Sequence, residues 1–170
     1  MNASSPTKTI PAPAAAPKPP GAALTSRLER YVTGPAGEAW ALIGRTFFEH
    51  GKPRMMAINQ ELDLSPPQGF VLRLLDLPRP MGELAMTMHC DNSNMTGIVD
   101  RLEERGLVER GVAENDRRVK LIALTDEGRR VRDEVSRRLA EPPAEFLALS
   151  KADQRALRDI LRRALADADA

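Results

Sequence analysis

The sequence predicts a mainly α-helical chain with one small β-hairpin, and three observations carry that expectation. Met95, Ile98, Val99 and Leu102 fall at i, i+3, i+4 and i+7, which places all four on one stripe of a helix that must face a core. Ahead of them Met81–Met88 reads as a short helix, with Leu84 and Met88 on one face and the small Ala85 where another helix can come close. Only the polar stretch His89–Asn92 separates the two. Behind them, Leu107–Glu109 and the strand-like run Val119–Leu124 flank a polar loop, the pattern of a hairpin with a basic tip at Arg117, Arg118 and Lys120. Helix, turn, helix and hairpin in that order make a winged helix-turn-helix.

Composition sets the bounds. A length of 170 residues suits one domain with a tail, and 42% hydrophobic residues suffice for a core. The formal net charge is only +1, so affinity for nucleic acid has to come from local placement of Arg and Lys. One cysteine excludes an intramolecular disulfide and a cysteine-rich zinc module, and suits a reducing cytosol. No apolar run approaches the ~20 residues of a membrane helix, and the N-terminus has no signal-peptide core. A cytoplasmic protein with no membrane partner is expected.

Residues 1–21 hold Pro6, Pro11, Pro13, Pro17, Pro19 and Pro20 among alanines, a density that denies the backbone its helix and sheet bonds. An extended or disordered tail is predicted. Lys8 and Lys18 suit an arm that touches phosphate, and the prolines suit a ligand for another protein, but an inert tail is the plainer expectation.

Residues 22–62 read as N-terminal helices. A short one covers Ala22–Arg30, Gly34 and Pro35 interrupt, and Gly37–His50 places Trp40, Ile43, Phe47 and Phe48 near one face. After Gly51 and Pro53 comes Arg54–Leu62, with Met55, Met56, Ile58 and Leu62, so a long, kinked or broken helix is expected whose apolar face needs a cover.

Residues 63–125 form the predicted winged helix-turn-helix. Ser65 is placed to cap a helix whose first turn holds Pro66 and Pro67, where missing amide protons cost little. That helix runs through Phe70, Val71, Leu74 and Leu75 and backs the reading head from behind, with 76–80 as the connecting loop. In the segment after the turn, Asp91, Asn92 and Ser93 offer oxygens to the first free amides, and Gly106 is the residue type that ends a helix. The face opposite the apolar stripe carries Ser93, Thr96, Gly97 and Asp100, flanked by Asn94 and Arg101, and turns acidic only later, at Glu103 and Glu104. Such a face can approach DNA by its N-terminal half.

Residues 126–170 are predicted as C-terminal helices. Thr125 can cap the first, with Asp126 and Glu127 at the positive end of its dipole, and Val131, Val135 and Leu139 keep an apolar stripe. Arg129, Arg130, Arg132, Arg137 and Arg138 alternate with Asp133 and Glu134, which reads as a solvated face with intrahelical pairs rather than a phosphate contact. Pro142 and Pro143 interrupt it. Ser150–Asp153 reads as a capping box, and Leu157, Ile160, Leu161 and Leu165 stripe the final helix.

GELA at 82–85, NSNMTGIVDRLEERGLVER at 92–110, DRR at 116–118 and LTDEG at 124–128 occur in an order and spacing that resemble the MarR family of bacterial transcription regulators. A weaker likeness extends from about Gly37 to Ala166. The resemblance implies a homodimer held by the helices of 22–62 and 126–170, a recognition helix in the major groove and a wing in the minor groove of a pseudo-palindromic double-stranded operator. It also implies a repressor released by a small aromatic or phenolic ligand bound between the dimerisation helices and the reading head.

Residues at the start of the recognition helix do the reading in such an arrangement: Ser93, Asn94, Thr96, Gly97 and Arg101. Asn94 can pair with an adenine edge, Thr96 offers a methyl and a hydroxyl, and Arg101 can reach a phosphate or a guanine; the residue types do not assign which. Ser93 and Asn94 could equally serve as ordinary caps. At the wing, Asp116 can orient the guanidinium of Arg117 or Arg118 before it enters a narrow minor groove. The family's pattern of Asp, any residue, Arg favours Arg118 as the inserted residue and Arg117 as a phosphate contact, with Lys120 completing the basic tip. Gly97 stands where the family often has a basic residue. It either forfeits a contact, weakening the helix by ~1 kcal/mol relative to alanine, or lets the backbone approach the groove closely.

Trp40, Phe47, Phe48, Met55, Met56 and Phe70 can line a ligand cavity or be filled core. Cys90 beside His89 could serve a thiol-based redox sensor, though a small packing residue is the simpler reading. His50 and His89 lie far apart with no ligand cluster, and no nucleophile with a base or phosphate-binding glycine loop is present, so neither metal, cofactor nor enzyme is expected. A winged helix that docks a protein partner without binding DNA is the remaining reading from another class.

Overall fold

The computed structural model describes residues 31–112 and 120–166. Two compact units divide the chain, the first ending at Lys52 and the second beginning at Pro53. The expected tail of 1–21 and the short helix over Ala22–Arg30 lie outside the described residues.

In the first unit Gly34 and Pro35 open the helix that the sequence placed from Gly37, so it begins three residues earlier than expected. Helix α1 spans Gly34–Thr46, with Gly34 at φ 68° and the proline in the first turn, where its missing amide costs nothing. Of the long, kinked or broken helix expected through Gly51, the structure shows no break but a change of hydrogen-bond register, a π-helical turn over Phe47–Gly51 closed by the Lys52 amide donating to the Phe47 carbonyl. No residue of α1 is buried, and Trp40 keeps 76% of its surface exposed.

Helix α2, Lys52–Glu61, leads into the second unit, and α3, Pro66–Leu74, follows. Ser65 stands at the N-cap as expected, its amide donating to Gln68 Oε1 at 2.7 Å, and α3 buries Val71 and Leu72. Helices α4, Met81–Thr87, and α5, Asn92–Glu104, form the helix-turn-helix. Strands β2, Val108–Val112, and β3, Lys120–Leu124, pair antiparallel with Arg110 opposite Ile122.

A third strand joins the expected two. Strand β1, Arg79–Pro80, pairs antiparallel with β3 and sets Arg79 opposite Ile122. Its two residues include a proline, which a sheet tolerates only at an edge, so no strand pattern announces it.

The core of this unit joins helices α2 to α5, the β2–β3 hairpin strands and the helix that follows them. Ile58, Leu72, Leu84, Met95, Val99, Leu102, Ile122 and Val135 belong to one buried cluster, so the recognition helix, hairpin and supporting helices share a single interior. Helix α6, Asp126–Ala140, starts at Thr125, whose Oγ1 accepts from the Gly128 amide at 3.0 Å. Its arginines are mostly paired within the helix, Arg130 to Glu127 at 2.5 Å and Arg137 to Glu134 at 2.8 Å, as the alternation suggested. Two reach further: Arg132 donates to the Leu75 carbonyl at 3.4 Å and Arg138 pairs with Glu61 at 2.6 Å. After the prolines comes a short turn of helix, α7, Ala144–Leu147, and then α8, Lys151–Leu165, capped by Ser150 Oγ at 3.1 Å from the Asp153 amide. No residue of α8 is buried, and Ile160 and Leu165 are more than half exposed.

Candidate nucleic-acid interface

The turn between α4 and α5 is tight because nearly every amide in it is used. Met88, His89 and Cys90 donate to the carbonyls of Leu84, Met86 and Ala85, and His89 adopts φ 50°, the left-handed conformation that reverses the chain after α4. Asp91 then caps α5 alone, its Oδ1 accepting from the Asn94 amide at 2.7 Å. Capping therefore makes no demand on the side chains of Ser93 and Asn94. At the other end Gly106 takes φ 65°, which lets the chain leave the helix and enter β2.

The apolar stripe lies as its spacing requires. Met95, Ile98, Val99 and Leu102 are all buried, and the face opposite presents Ser93, Asn94, Gly97 and Arg101 exposed. At Gly97 a Cβ would meet nothing within 4 Å, so no internal contact demands glycine there. Thr96 differs from its neighbours. It is half-buried, and its hydroxyl donates to the Asn92 carbonyl at 2.8 Å with Met81 Sδ 3.4 Å away, so the helix itself already uses the hydroxyl proton. Beside this face the start of α3, through Ser65, Pro67 and Gln68, borders an open hollow of about 500 Å³ whose other wall is Asp91, Ser93, Asn94, Gly97 and Arg101.

Two acids in the later half of α5 are paired from outside the helix. Arg110, on β2, donates one Nη to Asp100 and the other to Glu103. The hydrogen bond to Asp100 contributes most to holding its guanidinium above the ordinary value; partial burial opposes it and Glu103 adds to it. Two negative charges of the helix are thereby paired with one fixed cation. Residues 100 and 103 looked merely acidic in the sequence, because their partner arrives only when the hairpin folds back along the helix. On the other side of the turn, Arg79 pairs with Glu83 and donates to the Leu74 carbonyl at 2.9 Å, holding β1 to α4 and to the end of α3.

Of the expected wing residues, Lys120 opens β3 opposite Val112 and is exposed. Asp116, Arg117 and Arg118 lie outside the described residues.

The residues considered for a ligand cavity occupy several surroundings. Trp40 and Phe48 line a largely apolar hollow of about 430 Å³ in the first unit with Tyr31, Ala41 and Gly44, while Phe47 meets Phe48 edge to face at 5.5 Å. In the second unit Met56 borders a more polar hollow with Asn59 and Arg105. There, too, Arg73 lies 5.3 Å over the Phe70 ring and donates to Met55 Sδ at 3.6 Å. Cys90 is half-buried and packs against the core cluster. Among the described residues no group of His, Cys, Asp or Glu is placed to hold a metal ion, and no helix is long and apolar enough to cross a membrane.

Residues 64–120 match the model of the MarR family. Over 86 residues the chain is 34% identical to the HTH-type transcriptional repressor MdtR of Bacillus subtilis (strain 168), covering 49% of this chain and 56% of that protein. It spans about half the length of the curated relatives it matches. Among solved structures, a transcriptional regulator (MarR family) from Rhodococcus sp. RHA1 is 34% identical, covering 71% of this chain and 91% of the other at a TM-score of 0.50. A MarR family protein from Bacillus stearothermophilus is 28% identical, covering 84% and 98% at a TM-score of 0.68. The MdtR and Rhodococcus relatives are named as transcriptional regulators, which accords with the expectation of a regulator rather than an enzyme.

Proposed function

Because this chain belongs to the MarR family of transcription regulators, we propose that it acts in the cytoplasm as a homodimeric repressor that binds a pseudo-palindromic operator and leaves it when a small aromatic or phenolic ligand binds. One observation carries the reading. The helix that buries Met95, Ile98, Val99 and Leu102 turns Ser93, Asn94, Gly97 and Arg101 outward from its N-terminal half, with Arg110 masking the acids of its other half. A major groove admits one such helix, and Asn94 and Arg101 have the donor and acceptor sets that base edges and phosphates require. Thr96 offers its methyl, Lys120 lies where the wing meets the duplex, and Asp116 orients Arg118 into the minor groove while Arg117 holds a phosphate.

Dimerisation is supported by two uncovered apolar faces: Trp40 and Ile43 on α1 with Phe47 just beyond it, and Ile160 and Leu165 on α8. A second copy gives both a cover. The repressor sense follows the name of the MdtR relative. The ligand is assigned to the hollow holding Trp40 and Phe48, and it acts only by favouring the spacing of the two reading heads that does not fit DNA.

Fluorescence anisotropy of the protein on its own upstream intergenic duplex and on a scrambled one, across a salt series, tests this. Saturable binding with at least ~1000-fold preference and a steep salt slope is expected. Equal, weak binding to both duplexes counts against an operator there.

A further inference from the structure

Helix α2 ends in a way that leaves two carbonyls without helical partners. Leu62 and Asp63 follow its last residue, and Asp63 takes φ 52°, a left-handed conformation that turns the chain away and strands the carbonyl oxygens at the surface. Both are taken by one side chain. Arg105, the residue that ends the recognition helix α5, donates Nη1 to the Asp63 carbonyl and Nη2 to the Leu62 carbonyl, the latter at 3.0 Å.

The same helix α2 is bound elsewhere to the C-terminal elements. Arg54 donates to the Glu141 carbonyl at 2.9 Å and to its carboxylate at 2.6 Å, and Glu61 accepts from Arg138 at 2.6 Å. Thus α2 is a strut with the end of α6 on one side and the end of the recognition helix on the other. An arginine gripping two carbonyls through both of its terminal nitrogens constrains rotation as well as distance, which a single donor does not.

We propose that Arg105 is a positioning residue for DNA recognition: it sets the angle of the recognition helix against α2 and so fixes which half-site spacing the protein accepts. This rests on the dimeric DNA-binding reading above. Arg105 touches no base in that reading. It acts through α5, whose apolar stripe would otherwise let the helix rock on the core, carrying Ser93, Asn94 and Arg101 with it.

The test uses full-length wild type, Arg105→Ala and Arg105→Lys on a duplex series in which half-site separation is varied by one or two base pairs, with an isolated half-site as reference. Relative to that reference, Arg105→Ala should lose about tenfold on the native spacing and discriminate poorly among spacings, within the usual range of coupling between sites. Arg105→Lys, able to satisfy one carbonyl at a time, should fall between. Spacing preference unchanged, or an equal loss on every duplex and on the half-site, overturns the proposal. Amide exchange without DNA provides an independent readout: Arg105→Ala should speed exchange at Leu62, Asp63 and Leu64, whose amides donate to Ile58, Gln60 and Asn59, and along the end of α5. If the wild type binds no DNA, the parent reading fails, and unchanged exchange then overturns the clamp as well.

Discussion

Gly128 of α6 lies against the carbonyl of Leu107 so closely that a Cβ on it would stand 1.8 Å from the oxygen. That carbonyl accepts from the Thr125 amide at 3.2 Å, and Thr125 also donates its hydroxyl to the Gly106 carbonyl at 2.6 Å, so the backbone on both sides is held. The contact seats α6 on the chain where it leaves the recognition helix. Gly128→Ala should therefore cost ~1–3 kcal/mol by overpacking, read as a lowered urea midpoint with the slope preserved. An unchanged midpoint would show that the two segments part without cost.

Gly69 presents a related close approach with a different partner. A Cβ there would come within 2.3 Å of Asn59 Oδ1, which is buried and has no hydrogen-bond partner among the described residues. Gly69→Ala should destabilise by ~1–3 kcal/mol. Adding Asn59→Ala should return part of that loss, a coupling that a double-mutant cycle reads directly. Strict additivity would sink the assignment.

Arg110→Ala should barely change stability, at most ~1 kcal/mol, because its ion pairs are partly exposed. Freed Asp100 and Glu103 should weaken operator binding on the order of 3–10-fold at low salt, with the loss shrinking as salt screens them. Equal affinity at every salt concentration would remove the masking role.

Gly97→Ala fills open space and replaces a poor helix former, so the fold should gain up to ~1 kcal/mol. Operator affinity should fall if the bare backbone meets the groove. A variant that melts higher and binds as well as wild type would place Gly97 away from the DNA.

Acid should loosen the start of α6. The hydrogen bond from Arg129, and then its charge, hold the Asp126 carboxyl below its ordinary range. Since the folded group titrates below the unfolded one at ~3.9, its stabilisation is complete above that value and is lost as pH falls through the folded value. Asp126→Asn should flatten the stability profile in that acidic window by removing at neutral pH the small stabilisation the pair supplies, so that variant and wild type converge in acid. The group is fully exposed, so salt should diminish the effect. A profile identical to wild type would argue against the pair.

Residue spacing determined much by itself. The stripe from Met95 to Leu102, the Ser65, Thr125 and Ser150 caps and the hairpin after Gly106 are local patterns, set by helix and strand periodicity and by orphan amides within a turn of the cap. Local reading stayed open where a residue's tendency has two outcomes: Gly34 and Pro35, which separate two helical stretches in the sequence, prove to begin the second, and the kink or break expected near Gly51 takes the form of a π turn. Tertiary structure alone decided the rest. Arg110 reaches back 7 and 10 residues to Glu103 and Asp100, Arg105 reaches 42 and 43 to Asp63 and Leu62, and β1 finds its strand partner across the whole helix-turn-helix. Such pairings depend on where separate elements come to rest in the common core, and an arginine's charge and length are the same whichever partner the fold brings to it.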